Sequence, residues 1–165
     1  MTEDHWQVCI GDDIEPFWNP PHAGRSGSVT HDAHAGRLGA GGLCFRATTY
    51  ATVRYRLPML RQRVTALGSI RISGGTARSV EASAGIRVEM RLWQVRWADH
   101  NPSPYCTVVR PTPGEWVPLA LPVDLTPRTE RSLDYLLMEI VVEGLEEGEQ
   151  LQLCDVAVWP CDRPV

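Results

Sequence analysis

A run of alternating apolar and polar residues constrains this chain more than any other feature. It covers residues 84–97, and its apolar members are Ile86, Val88, Met90 and Leu92. The intervening residues would face the other way: Arg87, Glu89, Arg91, Trp93, Val95 and Trp97. A period of two places alternate side chains on opposite faces of a β-strand, whereas a helix needs a period near 3.6. The run therefore predicts a strand with one face in a core and one polar face.

The same period recurs in shorter segments between turn signals. These segments cover residues 43–48, 53–57, 70–72, 116–125, 136–142 and 151–159. We predict that Gly74 and Gly75 end the strand that begins at residue 70, and that residues 144–148 form the turn between the last two strands. Proline cannot donate to a ladder, so Pro58, Pro118 and Pro122 predict edge strands or strand ends.

The pattern predicts seven or eight short strands and almost no helix. The first 42 residues show little periodicity, and the proline-rich stretch 98–115 is expected to be a long loop. Such a chain is typical of an all-β antiparallel sandwich or barrel. With 165 residues it is long enough for one domain and too short for two, so we expect a single domain over residues 1–165 with its core at about 8–160.

Charge and residue usage exclude several classes of function. The net charge of −4 offers no basic field to a phosphate backbone, so we expect no nucleic-acid partner. All 16 basic residues are arginine, which excludes a phosphate-binding P-loop lysine and a Schiff-base lysine. No apolar run is long enough for a membrane helix or a secretory signal, so we expect no membrane partner. If Met1 is the native start, we expect a cytoplasmic protein.

The five cysteines do not predict a metal or redox motif. They stand at positions 9, 44, 106, 154 and 161, and no two of them have C-x-x-C spacing. Their odd number and scattered placement indicate reduced thiols that are mostly buried as small hydrophobic residues.

The C-terminal third carries a resemblance to a known fold family. It reads GEWVPLALPVDL, then a polar stretch, then LLMEIVVEGLEEGEQLQLCDVAVWP. A tryptophan entering a strand, an apolar strand, a glycine turn and a final strand with an Asp-Val step resemble the carbohydrate-binding modules with a galactose-binding-like jelly-roll fold. The segments LGAGGLCFRA and VTALGSIRISGG fit the same order, so the resemblance spans roughly residues 10–160. It implies an antiparallel jelly roll, with Trp116 and Trp159 in the core.

The resemblance also implies a structural calcium ion between the first strand region and the last strand. Asp12, Asp13 and Glu15 stand near the first position, and Asp155 stands near the second. Carboxylate oxygens suit Ca²⁺. Cys154 stands where many relatives carry another Asp, which removes one oxygen ligand. A solvated acidic turn is the alternative interpretation, and no other cofactor is required.

The polar side of the strands supplies the candidate site. We expect Arg87, Glu89, Arg91 and Trp93 to line one ligand-facing surface, because alternate residues of a strand share a face. Arginine binds polar groups bidentately, and tryptophan stacks on a flat ligand. The remaining candidates are Arg54 and Arg56 from a neighbouring strand, Trp97 on the same face, Trp18 at one rim and Tyr105 as a lid residue in the 98–115 loop.

Two functions compete for this surface. The first is a cofactor-independent cyclase or isomerase, since the same fold is used by cofactor-free cyclases of bacterial natural-product pathways; its catalytic residues would be Glu89, Arg91 and Tyr105. Glu89 would orient an arginine or act as a base. The second is a non-catalytic carbohydrate-binding module. The expected partner is accordingly a small metabolite or a glycan, with a homodimer as a further option. A solvated face with cross-strand Arg–Glu pairs is the interpretation without a ligand.

Overall fold

Strands make up most of the computed structural model. It describes residues 6–10, 13–17, 27–39, 41–47, 51–59, 70–80, 85–95, 104–123 and 135–160, with only the backbone placed in β1, β2 and β5. The strands are β1 (Trp6–Ile10), β2 (Asp13–Phe17), β3 (Gly27–Asp32), β4 (Gly42–Ala47), β5 (Ala51–Met59), β6 (Ile70–Ser79), β7 (Arg87–Val95), β8 (Tyr105–Val109), β9 (Val117–Val123), β10 (Tyr135–Leu145), β11 (Gln150–Cys154) and β12 (Ala157–Pro160). The only helical element in these ranges is a single 3-10 turn, Arg37–Gly39. The all-β expectation is therefore confirmed, and none of the described residues belongs to a helix that could cross a membrane.

Two sheets form a sandwich. The larger sheet has the order β2-β1-β12-β6-β11-β4-β3. β11 and β12 lie along one side of β6, and β9 pairs with the other side of β6. The smaller sheet has the order β5-β10-β7-β8, and all its pairings are antiparallel. In the larger sheet, β1 and β12 form a parallel pair.

The last two strands act as one strand along β6. Residues 151–154 pair with 79–76, and residues 157–160 pair with 73–70, so the register continues across the break. Asp155 adopts a φ of 55° at the break. On the opposite side the partner changes there, because β11 pairs with β4 whereas β12 pairs with β1.

The alternating apolar residues fill the space between the sheets. Val88, Met90 and Leu92 of β7 are fully buried, and they meet Met138, Ile140 and Val142 of β10 on the same side. The larger sheet contributes Phe45, Ile72, Leu119, Leu151, Leu153 and Val158. This confirms the period-two interpretation of residues 86–92.

Several strand boundaries differ from the predictions. Gly74 and Gly75 do not end β6, which continues to Ser79 with a register shift against β9 between Ile72 and Gly75. Glycine lets the strand absorb that bulge instead of stopping. The stretch 98–115 was wrongly expected to be all loop, because residues 105–109 form β8. Three strands also lie in the aperiodic first 42 residues.

The proline and tryptophan predictions had different outcomes. Pro58 lies on the edge strand β5, and Pro118 and Pro122 lie on β9, whose only described ladder is with β6. Edge strands or strand ends were expected for all three. Trp116 and Trp159 were expected in the core but are half-buried. The Arg78 guanidinium lies over the Trp116 ring at 4.8 Å from its centroid, so this tryptophan is covered by a cation and not by the core.

Candidate ligand-binding face

The outward side of the four-stranded sheet, here called the polar face, carries rows of residues set by strand register. One row runs Arg56–Glu139–Arg91–Cys106 across β5, β10, β7 and β8. The next row runs Arg54–Val141–Glu89–Val108. Directly opposed residues of neighbouring strands share a face. The fold thus brings charged residues of β10 and β7 onto one surface, and Arg54 and Arg56 of β5 occupy the next register positions.

Arg91 is fixed at the centre of the polar face by two carboxylates. Its Nε donates to Glu89 Oε1 at 2.8 Å and its Nη2 donates to Glu89 Oε2 at 3.2 Å. Its Nη1 donates to Glu139 Oε1 at 3.2 Å. These bonds use three of the five guanidinium N–H groups of Arg91, and one N–H on each Nη remains. No other described residue forms a hydrogen bond with this guanidinium. The side chain is held in one orientation with donors still available.

Arg87 extends the network along β7. Its Nη1 lies 2.9 Å from Glu89 Oε2 and 3.0 Å from Glu143 Oε2. Glu89 is therefore shared by two arginines. Glu143 is the last carboxylate of this ion-pair network, at the more exposed end of the face. The result is a chain of alternating donors and acceptors from Glu143 to Glu139.

Two of these carboxylates are buried although they point away from the core. Glu139 is 2% exposed and Glu89 is 7% exposed. Val141, which is opposite Glu89 and two positions after Glu139 on β10, is 1% exposed and is outside the core cluster. These two carboxylates are therefore shielded from solvent and need their arginine partners, whereas the Arg91 side chain is 22% exposed.

The charges of the network stabilise one another. Hydrogen bonds from Arg91 hold the pKa of Glu89 below its ordinary value, against the opposing effect of burial. The same hydrogen bonds raise the pKa of Arg91. Burial alone would lower the pKa of Arg87, but its hydrogen bonds to Glu143 and Glu89 outweigh this and raise it. Glu89 therefore favours its charged form and holds Arg91 and Arg87 in place, and its part in ligand binding or catalysis stays a prediction.

Trp93 supplies the aromatic part of the face. It follows Arg91 by two positions on β7, so it stands in the adjacent row, opposite Leu137 of β10 and in line with Pro58 of β5. Trp93 and Leu137 are both half-buried. An apolar row therefore lies directly beside the charged row that contains Arg91.

The structure places the other predicted site residues at different positions. Arg54 and Arg56 were expected on a strand beside β7, but β10 lies between β5 and β7, and they share only the face. Tyr105 is not a lid residue in a loop. It opens β8 opposite Leu92 and packs against the core, because the alternation of β8 directs it inward. Trp18 and Trp97 lie outside the described residues.

The predicted calcium ligands are described only in part. Asp12 lies outside the described residues, and only the backbone of Asp13 and Glu15 is placed, on β2. The Asp155 carboxylate lies 3.3 Å from the Arg37 Nε. Within the described ranges, no three His, Cys, Asp or Glu residues are grouped so as to hold a metal ion. Calcium binding therefore stays a prediction.

Glu143 was not identified from the sequence as part of the site. It lies four positions after Glu139 on β10, so period two places both on the same face. That spacing was a usable signal, but no local pattern indicates that β10 lies beside β7. The pairing of residues 143 and 87 follows only from the sheet register.

Comparison with known proteins identifies the fold. No protein-family model matches the chain, and no curated protein sequence matches it. Among solved structures, it is similar to the CBM22-1 xylan-binding domain of Paenibacillus barcinonensis Xyn10C, with 16% identity over 96% of this chain and 94% of that chain and a TM-score of 0.66. It is also similar to the C-terminal family 22 carbohydrate-binding module of Clostridium thermocellum Xyn10B, with 14% identity, coverage of 98% and 96%, and a TM-score of 0.60.

A third similar structure is TmCBM61, solved with β-1,4-galactotriose. It shares 12% identity over 84% of each chain, with a TM-score of 0.53. At these identities the likeness establishes the fold. The chain has the β-sandwich fold of carbohydrate-binding modules, which confirms the jelly-roll resemblance drawn from its C-terminal third.

Proposed function

We propose that this protein binds a glycan on the polar face without converting it. The observation that carries this proposal is Arg91, held by Glu89 and Glu139 directly beside Trp93. The similar structures named above support it, because they are a xylan-binding domain, a carbohydrate-binding module and a module solved with β-1,4-galactotriose. This favours the second of the two functions considered from the sequence; none of these neighbours is a cyclase.

The chemistry of the polar face suits a sugar. A sugar hydroxyl both donates and accepts hydrogen bonds, so it can bridge a guanidinium N–H and a carboxylate oxygen. Because the carboxylates already orient Arg91 and Arg87, little side-chain freedom would be lost when a ligand binds. The Trp93 ring in the next row offers an apolar surface for the face of a sugar ring.

Binding can be tested with the glycans named for the similar structures. The probes are xylan in native affinity gels and β-1,4-galactotriose in titration calorimetry. Trp93→Ala and Arg91→Ala are each expected to weaken binding about tenfold or more, which corresponds to roughly 1.4 kcal/mol. Arg46→Ala is the matched control, because Arg46 is exposed on the larger sheet and has no ion pair with a described residue.

The outcomes separate the two functions. Retardation by a glycan that is lost in Trp93→Ala and kept in Arg46→Ala supports the proposal. Failure of every glycan to bind, or equal binding by Trp93→Ala, Arg91→Ala and the parent, contradicts it. Incubation with the bound oligosaccharide, followed by NMR, should return it unchanged; consumption of the sugar would contradict the non-catalytic assignment. The homodimer is a separate prediction, to be checked by sedimentation.

A further inference from the structure

A hydrogen-bonded cluster attaches the β3–β4 connection to the end of β11. The Arg37 backbone N–H donates to Cys154 Sγ at 3.3 Å. The Arg37 side chain also reaches the next residue, with Nε 3.3 Å from Asp155 Oδ2. One residue of the connection thus binds two consecutive residues of the sheet, once through its main chain and once through its charge.

Cys154 lies inside this cluster as a neutral hydrogen-bonding group. It is fully buried, its thiol donates to Asp155 Oδ2 at 3.3 Å, and its Sγ lies 3.0 Å from Thr76 Oγ1. Burial is the main reason that the pKa of the Cys154 thiol is raised above its ordinary value. The thiol is therefore protonated at neutral pH and adds no negative charge to the site.

The connection lies in direct contact with β11. A Cβ at Gly42 would stand 2.7 Å from the Leu153 carbonyl oxygen and 3.2 Å from Gly36 Cα. Between these glycines the chain turns outward at Leu38, which has a φ of 58° and is 99% exposed. A non-glycine residue adopts this left-handed conformation only when its surroundings impose it. The two bonds made by Arg37 are adjacent contacts that can impose it.

The described side of the predicted calcium site does not fit calcium. Ca²⁺ takes six to eight oxygen ligands, carboxylates among them. Here the sheet offers one carboxylate, at Asp155, that already faces a guanidinium, and beside it the protonated Cys154 thiol, which supplies no oxygen ligand. A divalent ion that binds through Asp155 Oδ2 would have to displace the Arg37 guanidinium.

We propose that the Arg37 guanidinium is the resident cation at Asp155, and that it holds the β3–β4 connection on the sheet without calcium. The charge count agrees: with the Cys154 thiol protonated, Asp155 carries the single negative charge of this described cluster, and one guanidinium neutralises it. This inference concerns the opposite sheet from the polar face and does not depend on the proposed function.

Thermal unfolding of the full chain tests the proposal. The parent is treated with a chelator, dialysed, and melted with and without added calcium; the melting temperature is expected to stay the same. Arg37→Met keeps the length and apolar stem of the side chain but removes the charge. It is expected to melt roughly 2–4 °C lower than Arg46→Met, the control on the neighbouring strand. About 1 M salt should reduce this difference, because it screens the exposed part of the ion pair.

Two results would overturn the proposal. The first is a calcium-dependent rise in the melting temperature of the parent, or calcium retained at one ion per chain after purification, since a ligand bound only to the native state stabilises it. The second is an Arg37→Met variant that melts with Arg46→Met, which would show that the guanidinium does not hold the connection. The parent measurement decides the calcium question even if a variant fails to fold.

Discussion

Arg91 and Glu89 form a bidentate ion pair from positions two apart on β7, with Nε–Oε1 at 2.8 Å and Nη2–Oε2 at 3.2 Å. Because residues i and i+2 of a strand share a face, this pair is determined by β7 alone. Glu139 joins it from β10, and it is the contact that ties the pair to the neighbouring strand. The site is thus partly local and partly a product of sheet assembly.

Removal of Glu139 should destabilise the fold more than removal of an exposed carboxylate. Glu139→Ala leaves a buried gap and takes one partner from Arg91, so we expect a loss of roughly 1–3 kcal/mol in the free energy of unfolding. Glu139→Gln keeps the shape and an acceptor oxygen and should lose less. Glu143→Ala is the control on the same strand, where the 43% exposed side chain predicts a loss of roughly 0.5 kcal/mol. Urea unfolding measures all three; equal losses at 139 and 143 would contradict this account.

The contribution of Glu89 to stability should disappear in acid. Its folded-state pKa lies below its ordinary value of 4.5, so the native state favours the charged form. The resulting stability is present above the unfolded pKa and is lost as the pH falls through the folded pKa. The difference in unfolding free energy between the parent and Glu89→Gln should therefore be largest near neutral pH and shrink below pH 4.5. A difference that is the same at both pH values would show that Glu89 is not held as an anion by its arginines.

The described thiols should react at very different rates. Cys106 is exposed on β8, whereas Cys44 and Cys154 are buried. Since the thiolate is the reactive form, burial and a raised pKa both protect Cys154. A maleimide time course with peptide mapping is expected to label Cys106 first, and Cys44 and Cys154 only through local opening. Labelling of Cys154 as fast as Cys106 would contradict the buried cluster at Arg37.

Two glycines offer a matched comparison of backbone strain and steric contact. Gly144 and Gly148 have φ values of 82° and 85°, so alanine costs roughly 1–2 kcal/mol at either position from the backbone alone. At Gly144 a Cβ would also stand 2.3 Å from the Gly85 carbonyl oxygen, whereas at Gly148 it would meet nothing within 4 Å. Gly144→Ala should therefore be the less stable variant by roughly a further 1–3 kcal/mol. Chemical denaturation of both decides the matter, and equal stability would show that the close approach to Gly85 is absent.

The fold class could be predicted from the sequence because it depends on local periodicity. The alternation at Ile86, Val88 and Met90 is sufficient to assign β7, its buried face and its polar face. The N-terminal strands were missed because β1 and β2 are five residues each, too short for a period to be recognised among glycines and prolines. Gly74 and Gly75 were misread because glycine marks a bulge within a strand as readily as its end.

The candidate site was predictable only in the part that one strand encodes. Arg87, Glu89, Arg91 and Trp93 share a face by spacing alone. Their partners on β10 depend on which strands become neighbours. The pairing of Arg91 with Glu139, 48 positions away, cannot be predicted from the local sequence pattern. Tyr105 shows the same limit. It was expected to act as a lid in a loop, but it packs against the core because residues 105–109 form a strand.

The position of the last strand has a consequence for how the chain assembles. β1–β2 and β3–β4 are antiparallel hairpins, and among the described ladders each enters the larger sheet through residues 150–160: Cys9 pairs with Ala157, and Cys44 pairs with Gln152. During synthesis both hairpins emerge long before the strand that they share. Until residues 150–160 arrive, β1 and β4 each have an open edge, and contacts so distant in sequence form slowly. The larger sheet is therefore completed last, when residues 150–160 add its central strands. A chain ending before residue 150 would present two unpaired edges to other molecules.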